Sequence, residues 1–376
     1  MEYVYCCYVY CQSRRICFHG YYEILYTNNM FLLFLLSLLV QVVAQSNKSN
    51  NDYLYINNTQ FYFQGKGPIF LSGANQPWMR YGSDFGNGSP AGHICELDDY
   101  LKKLSDAGGN SVRIWLFTEG TSIPMFNASG YVVGTDATNT LVRDLRNYLG
   151  VAASRNVFVT LTLWNGALMR DKNEINLLND MSKLESFLDN ALAPLVKALK
   201  NESALAAWEI MNEPEGALTL TSDSSQPCFD TQSKLNGRGT VNIRNDVSIK
   251  TLHFNTPGTG WAGHHATMQN LLRFHGAHAK RIHEIDPKAL VTVGAWSEFT
   301  LTNNETFGGF NFYKDECMRL ASGEGDDDVC SYVRVWIMYH VSLCCITLLY
   351  HSNTQHSNTS FRYCLISIKF IRTQTI

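Results

Sequence analysis

The sequence predicts an α/β fold of the (β/α)8 barrel type. From about residue 52, short apolar runs alternate with longer amphipathic runs, a pattern typical of parallel strands joined by crossover helices. The dinucleotide-binding pattern G-x-G-x-x-G is absent after the first strand, which disfavours the competing open, doubly wound sheet. Polar and aromatic residues gather where the predicted strands end, and barrels form their active sites there.

The first predicted strand lies in PIFLSGANQPW (Pro68–Trp78), and the first helix in ICELDDYLKKLSDAGG (Ile94–Gly109). The Gly-Gly pair at the end of this segment is a helix stop signal. Four apolar side chains share one face of the predicted helix: Ile94, Leu97, Leu101 and Leu104. Their spacing indicates a helix that packs this face on the sheet.

The second strand is SVRIWLF (Ser111–Phe117), and a helix follows in TLVRDLRNYLGVAASRN (Thr140–Asn156). Its predicted inward face consists of Leu141, Leu145, Tyr148, Leu149 and Ala152. The third strand, VFVTLTLW (Val157–Trp164), is so apolar that both of its faces must be covered.

The next predicted helix is SKLESFLDNALAPLVKALK (Ser182–Lys200), and ALAAWEIMN (Ala204–Asn212) is the fourth strand. After a long insertion, a helix is predicted over His264–Pro287, where the proline stops it. The fifth strand is LVTVGAW (Leu290–Trp296). His264 and His265 open this last helix without cysteines or carboxylates at metal-ligand spacing, so no metal site and no cofactor are predicted.

Composition narrows the range of functions. The chain has 376 residues, of which 45% are hydrophobic and 17% charged, enough for the core of one large barrel. The net charge of −3 argues against nucleic acid or an anionic membrane surface as the main partner. The 19 Tyr, 20 Phe and 7 Trp fit either ordinary core packing or a cleft in which sugar rings lie on aromatic rings.

The eleven cysteines cluster near both ends of the chain, which does not indicate a disulfide framework. Four lie in the body of the chain, and of these Cys317 and Cys330 close a short loop. We therefore consider a Cys317–Cys330 disulfide, although spacing alone does not show the geometry of a bridge.

The segment MFLLFLLSLLVQVVAQ (Met30–Gln45) has a short apolar core and small residues before a cut after Ala44. This pattern predicts a secretory signal peptide over residues 30–44, with a membrane anchor as the alternative. The preceding residues 1–29 show no helical or strand pattern, and we interpret them as a gene-model extension. Secretion agrees with the N-x-[ST] triplets at Asn47, Asn57, Asn87, Asn127, Asn201, Asn304 and Asn358.

The fourth strand ends on Asn212, Glu213 and Pro214. Proline stops the strand, so that the carboxyl of Glu213 faces the mouth of the barrel. A carboxyl that is partly screened from water has a raised pKa and can protonate a leaving oxygen. The alternative is a surface glutamate at a strand–loop junction. Together with Arg113, which lies two strands earlier, the motif favours a catalytic role.

The sequence resembles a known family at these residues. NSVRIWLF, LTLW and WEIMNEPEG are similar to the retaining (β/α)8 glycosidases of glycoside hydrolase family 5. The resemblance is closer still to the animal endo-β-1,4-mannanases of that family, and it covers about Tyr53 to Tyr313. It rests on four longer motifs: Gly67–Gly88, Gly108–Phe117, Gly258–Gly263 and Leu290–Glu298.

The resemblance implies a TIM barrel and a double-displacement mechanism with retention of configuration. Glu213 would act as general acid and then as general base, and Asn212 would bind the 2-hydroxyl beside the nucleophile. Arg113 would hold the nucleophile ionised, because an adjacent guanidinium lowers a carboxyl pKa; a structural salt bridge is its alternative role. Glu209 lies within the strand, and we expect a paired structural carboxylate there.

Further residues near strand ends are candidates for contact with sugar. Trp78, Trp164, Trp261 and Trp296 are predicted stacking platforms, with packing under loops as the alternative for each. Glu298 is a predicted hydrogen-bond partner of sugar hydroxyls, with a solvated loop carboxylate as the alternative.

The family pattern stops after Asn311–Asp328. A sixth strand, a seventh ending in the nucleophilic glutamate and an eighth should follow, but Ser331–Ile376 contains no Asp or Glu. We therefore expect an incomplete barrel domain over residues 45–330, truncated after about the fifth or sixth strand, and a non-family tail over residues 331–376. Two exposed parallel edges and low stability are expected consequences.

These observations predict a secreted, extracellular and monomeric endo-β-1,4-mannanase. The expected partner is β-mannan, and the expected activity is impaired because the nucleophile is absent from the chain. A β-glucan or cellulose hydrolase of the same family and a non-catalytic carbohydrate-binding protein are the alternatives.

Overall fold

The computed structural model describes residues 52–58, 60–89, 91–235, 259–296, 300–301, 311–323, 337–347 and 362–371. For residues 91–94, 235, 315, 337–347 and 362–371 it describes the backbone alone. Several predictions fall outside this part of the chain: the signal peptide and the segment before it, Glu298, Cys330, and the triplets at Asn47, Asn304 and Asn358.

The strands of the described residues are β1 (Leu54–Asn57), β2 (Gln60–Phe63), β3 (Gly67–Ile69), β4 (Ser72–Asn75), β5 (Ser111–Thr118), β6 (Met125–Phe126), β7 (Val132–Gly134), β8 (Phe158–Asn165), β9 (Leu205–Asn212), β10 (Val291–Gly294), β11 (Ile337–Thr347) and β12 (Arg362–Ile371). The α-helices are α1 (Ala91–Asp106), α2 (Leu141–Ser154), α3 (Lys172–Asn179), α4 (Met181–Phe187), α5 (Ala193–Leu199), α6 (Thr231–Leu235), α7 (Met268–Ile285) and α8 (Asp315–Ser322).

Five strands form the parallel part of the main sheet. They lie side by side in the order β10, β9, β8, β5 and β4, and each pairs in parallel with its neighbour. Because parallel strands end at the same edge of a sheet, the residues after β4, β5, β8, β9 and β10 meet at one face. The predicted barrel-type α/β fold and its five strands are confirmed.

The main sheet continues beyond β4 into the tail. β12 pairs antiparallel with β4, and β11 pairs antiparallel with β12, which gives a seven-stranded sheet. The backbone of β11 also passes close to that of β10, so the sheet curves back on itself. The expectation that the β4 edge is exposed is therefore wrong, because β12 occupies that edge.

The core between sheet and helices follows the predicted periodicity. Every residue of β8 is buried, as expected for a strand covered on both faces. The five predicted inward residues of α2 are all buried, and so are Leu97, Leu101 and Leu104 of α1. These side chains form one cluster with the apolar face of α7.

The predicted helix over residues 182–200 is divided into α4 and α5 by one π-helical turn, Leu188–Leu192. Pro194 lies at the second position of α5 and has no N–H to donate. The Ala193 N–H donates to the Leu188 carbonyl five residues earlier, and this wider turn accommodates the proline.

The predicted helix over residues 264–287 begins four residues later than expected, at Met268. Thr267 is its N-cap, with Oγ1 accepting from the Asn270 N–H at 3.2 Å. His264 and His265 precede the cap and contact the carbonyls of Leu218 and Ala262, so they do not open the helix.

A small antiparallel sheet, β1–β2–β3, packs on the other end of the barrel. Its Phe61 and Phe63 form a second apolar cluster with Leu71, Phe158 and Ala206. These last three residues lie at or beside the amino-terminal ends of β4, β8 and β9, so the cluster closes the end opposite the strand termini that carry polar groups.

Cys228 and Cys317 form a disulfide, with their Cα atoms 5.2 Å apart. The bridge joins the segment before α6 to α8 across a sequence separation of 89 residues. The predicted Cys317–Cys330 pairing is therefore wrong. Chain proximity favoured Cys330, whereas the packing of α8 brings Cys317 to Cys228.

Candidate active site

Glu213 occupies a sharp backbone bend at the end of β9. Its φ and ψ are 46° and 56°, the left-handed region that residues other than glycine seldom adopt. Its N–H donates to the Gly294 carbonyl at 2.6 Å, which holds the bend against β10. Such strain persists only where the surrounding structure enforces it, and it is concentrated at functional sites.

The Glu213 carboxyl is half-buried at the mouth of the barrel. Burial raises the pKa of Glu213 above its ordinary value. The Arg113 guanidinium opposes this shift, and the charge of Glu209 adds to it. A glutamate in this environment can hold a proton at the pH at which an ordinary surface glutamate has lost it.

Arg113, on β5, connects β4 and β9 close to Glu213. It is buried and forms a two-pronged ion pair with Glu209, with Nε donating to Oε2 at 2.8 Å. It also donates to the side-chain oxygens of Asn212 at 2.9 Å and Asn75 at 3.2 Å. The expectation that Glu209 is a paired structural carboxylate is confirmed. Arg113 therefore has a structural salt bridge as well as its contact with Asn212.

Asn212 belongs to a second polar chain, which sequence reasoning missed. Its Nδ2 donates to Oδ1 of Asn165 at 3.0 Å. Nδ2 of Asn165 donates to Oε1 of Glu119 at 2.5 Å and to the Tyr81 hydroxyl at 3.2 Å. Asn165 ends β8 and Glu119 directly follows β5, so their places at strand ends were the available signal.

Glu215 supports the loops that carry Trp261 and Trp296, and the sequence analysis also missed it. It is fully buried and accepts from the Trp296 N–H at 3.0 Å and the Tyr313 hydroxyl at 2.9 Å. Burial raises the pKa of Glu215, and these hydrogen bonds oppose the shift. Its carbonyl accepts from the Gly260 N–H at 2.8 Å, which fixes the loop that carries Trp261.

Three of the four predicted tryptophan platforms are exposed. Trp261 and Trp296 are each 44% exposed, and their ring centroids lie 5.7 Å apart. Trp78 is 37% exposed and packs edge-on against Tyr81. This exposure leaves ring surface available for a ligand.

The prediction for Trp164 is wrong, because its ring is fully buried. It packs against Phe117 and Phe187, and its Nε1 donates to Nε2 of His278 at 3.3 Å. Side chains alternate across a strand. The neighbouring Asn165 contacts the cleft residues, and Trp164 therefore faces the helices.

Among the described residues, one cluster has metal-ligand spacing: Cys228, Glu316 and Cys317. Both of its cysteines are in the disulfide, so the cluster does not offer thiolates to an ion. No helix in the described part of the chain is long and apolar enough to cross a membrane.

The barrel-type sheet carries a glutamate with a raised pKa, an Asn–Arg pair and exposed tryptophans at its carboxyl edge, and comparison with known proteins identifies the chain as a glycoside hydrolase. No protein-family model matches the chain. A mannan endo-1,4-β-mannosidase of Cryptopygus antarcticus is 40% identical over 292 residues, 78% of this chain and 70% of the relative. One of Mytilus edulis is 40% identical over 273 residues, 72% of this chain and 68% of the relative.

Comparison with solved structures agrees. The crystal structure of the β-1,4-D-mannanase from Cryptopygus antarcticus has a TM-score of 0.64 and 41% identity. The match covers 73% of this chain and 68% of that one. The chain belongs to the mannan endo-1,4-β-mannosidase family, and the resemblance identified in the sequence is confirmed.

Proposed function

We propose that this protein acts on β-1,4-mannan, with cleavage of internal β-1,4-mannosidic bonds as its reaction class. The observation that carries the proposal is Glu213, a half-buried glutamate with a raised pKa on a strained strand end. The relatives named as mannan endo-1,4-β-mannosidases support the choice of substrate.

The mechanism we propose is double displacement. In the first step Glu213 protonates the leaving glycosidic oxygen while a second carboxylate attacks the anomeric carbon and the glycosidic bond breaks. In the second step Glu213 takes a proton from water, which attacks the same carbon and releases the second carboxylate. Asn212 donates a hydrogen bond to the 2-hydroxyl, and Arg113 holds Asn212 in place at 2.9 Å.

The second carboxylate decides how much turnover this chain supports. Glu209 does not serve, because it is fully buried and both of its oxygens pair with Arg113. Residues 331–376 contain no Asp or Glu, and they supply β11 and β12 to the sheet. We therefore propose that the 376-residue chain binds mannan but hydrolyses it weakly.

Non-catalytic carbohydrate binding is the second candidate function, since Asn212, Arg113 and the exposed tryptophans need no nucleophile to contact a sugar. The two candidates separate on one comparison. The full chain and Glu213→Gln are assayed for binding to insoluble mannan and for new reducing ends on galactomannan. We expect both to bind, and any turnover by the wild type to fall about 10²–10⁴-fold in the variant.

Strong turnover by the wild-type chain would contradict the proposed impairment. Turnover equal in wild type and Glu213→Gln would contradict the role of Glu213. Carboxymethylcellulose serves as the matched β-glucan, and preference for it over mannan would overturn the substrate assignment. We also propose that the tail (331–376) arises from read-through, a frameshift or an alternative exon after the barrel domain (45–330). Sequencing of the transcript across Tyr332 tests this, and an uninterrupted transcript supported by peptides from the tail would contradict it.

We further propose that the protein is secreted and monomeric. The Cys228–Cys317 disulfide supports an oxidising compartment. Exposed Asn57 and Asn201 lie within N-x-[ST] triplets and are accessible for glycosylation. N-terminal sequencing of the product released by an expressing cell is expected to begin at Gln45. A start upstream of residue 30 would contradict the signal-peptide assignment, and light scattering tests the monomer.

A further inference from the structure

Glu119 lies at a second strained strand end of the cleft, directly after β5. Thr118 before it and Gly120 after it both have positive φ, 54° and 75°. A left-handed conformation is costly for a β-branched residue such as threonine, and Thr118 is also buried. The backbone is thus bent on both sides of Glu119, and its side chain is buried at 5% exposure.

Glu119 accepts hydrogen bonds from two cleft residues at the same oxygen. Oε1 accepts from the Tyr81 hydroxyl and from Nδ2 of Asn165. Tyr81 is 39% exposed and packs on Trp78, whose ring centroid lies 5.1 Å from that of Trp115. The Glu119 carboxylate therefore links Tyr81, which packs on Trp78, to the hydrogen-bond chain of Asn165 and Asn212.

The partners of Asn165 fix which end of its amide is oxygen. The Ala167 N–H donates to Oδ1 at 3.2 Å, and a backbone N–H only donates. At the other end of the amide, Nδ2 donates to Oε1 of Glu119 at 2.5 Å. Both ends of the Asn165 amide are therefore specified, and a flipped amide would lose its bonds at both ends.

The partners of Asn212 fix the orientation of its amide in the same way. Its Nδ2 donates to the fixed Oδ1 of Asn165, and its Oδ1 accepts from Arg113, which only donates. An amide nitrogen carries two hydrogens, and the bond to Asn165 uses one. The arrangement thus leaves one N–H of Asn212 for an incoming hydroxyl.

We propose that Glu119 is a positioning residue of the mannan cleft, which fixes the amide of Asn165 and through it the N–H that Asn212 presents to a sugar hydroxyl. The proposal rests on the proposed mannan-binding function. It assigns Glu119 no contact with the substrate and no proton transfer.

The test reverses the polarity of one hydrogen bond. Asn165→Asp replaces the donor beside Glu119 with a second carboxylate, whereas Asn165→Asp with Glu119→Gln restores a donor–acceptor pair in the opposite sense. Mannohexaose binding to each full-length chain is measured by titration calorimetry. We expect Asn165→Asp to raise the dissociation constant at least about tenfold, and the double variant to return to within about threefold of wild type.

Glu174→Gln is the matched control. Glu174 is a buried carboxyl near Glu119, and its oxygens accept no hydrogen bond from the side-chain amide of Asn165 or Asn212. The backbone N–H of Asn165 is the part of that residue that acts on it. We expect its dissociation constant to stay within about twofold of wild type. Circular dichroism melts separate loss of fold from loss of affinity. If Asn165→Asp does not fold, Glu119→Leu is compared with Glu119→Gln, since glutamine keeps an acceptor oxygen and leucine does not.

Three outcomes overturn the proposal: unchanged affinity in Asn165→Asp, no recovery in the double variant, or, in the second comparison, equal affinity of Glu119→Leu and Glu119→Gln. Absence of mannohexaose binding by the wild type refutes the proposed function instead, and the positioning role with it. Normal wild-type binding with any of the three outcomes refutes the positioning role alone.

Discussion

Glu174 is a residue whose side chain the proposed mechanism does not use. It lies in the first turn of α3 with its carboxyl fully buried. Burial raises the pKa of Glu174 well above its ordinary value, the charges of Glu119 and Asp171 add to the shift, and the Asn165 backbone N–H opposes it. The folded state therefore favours the protonated form of this side chain.

We predict that Glu174→Gln stabilises the protein at pH 8 by on the order of 1 kcal/mol. Glutamine keeps the shape and has no charge to bury. Because the folded-state pKa of Glu174 is raised, its stabilising contribution is complete at low pH and is lost as pH rises. The stability that Glu174→Gln gains over the wild type should thus disappear below about pH 4.5 in urea unfolding curves. An equal gain at both pH values would contradict this account.

Two buried histidines of α7 give a pH dependence of the opposite sign. Burial lowers the pKa of His275 to about 4 and that of His278 to about 3. Nδ1 of each contacts the carbonyl four residues earlier in the helix. Because the unfolded chain takes up these protons at higher pH, stability that is present above about pH 6.5 is lost as pH falls.

We predict that His275→Leu flattens this loss. Between about pH 6.5 and 4, the wild type should lose up to about 3 kcal/mol more stability than the variant, from the shift of His275 alone. Nε2 of His275 has no hydrogen-bond partner within the described structure, so leucine abandons no bond there. Urea unfolding at several pH values tests this, with His264→Gln at an exposed loop position as control. Parallel curves for wild type and His275→Leu would refute it.

At the residue scale, the sequence could predict those site residues whose role shows in the residues directly beside them. Glu213 was predictable because proline and asparagine flank it at the end of an apolar run. The burial of Trp164 was not, since it depends on which face of β8 meets α7. Glu119 was missed because its importance comes from contacts with Tyr81 and Asn165, which are 38 and 46 residues away along the chain.

At the scale of elements, the Cys228–Cys317 disulfide is the main covalent constraint on the loops around the cleft. It anchors α8, and Tyr313 just before α8 donates to Glu215. Glu215 in turn holds the Trp296 loop. The bridge and this hydrogen-bond chain therefore stabilise the same side of the cleft.

We predict that Cys228→Ala with Cys317→Ala lowers the free energy of unfolding by about 2–5 kcal/mol, as expected for a bridge that closes a long loop. Urea unfolding measures the change, and Cys95→Ala, which lies outside the bridge, is the control. Dithiothreitol should bring the wild type toward the double variant. Equal stability of wild type and double variant would show that the bridge adds nothing to the fold.

The order of strands and helices was predictable from the sequence because hydrophobic period and breaker residues are local signals. The limits of the helices were less predictable. Helix α7 begins at Met268, four residues after the predicted start, and Pro194 forces a π turn inside a predicted continuous helix. Disulfide pairing required the packing of α8, which no local signal contains.

At the scale of the whole molecule, the tail determines how the sheet ends. The family comparisons cover 72–78% of the chain, and the tail contains no carboxylate side chain. Even so, β12 pairs with β4 in the register Leu365–Ala74, Ile366–Gly73 and Ser367–Ser72. An unpaired β4 would present a row of open N–H and C=O groups to other chains. The hairpin therefore has a structural role that does not depend on catalysis.

This role gives a prediction about Ile366→Pro. Proline cannot donate to a strand ladder and is poorly tolerated between two neighbouring strands, the position that β12 occupies between β4 and β11. We expect the variant to expose the β4 edge, so that amides of Ser72–Asn75 exchange with deuterium at least about tenfold faster. Light scattering should detect larger oligomers.

Thr373→Pro, beyond the end of β12, is the matched control and should leave both readouts unchanged. Because β4 also pairs with β5 on its other side, the effect should concentrate at amides that face β12. Equally slow exchange in wild type and Ile366→Pro would mean that β12 does not protect β4 in solution.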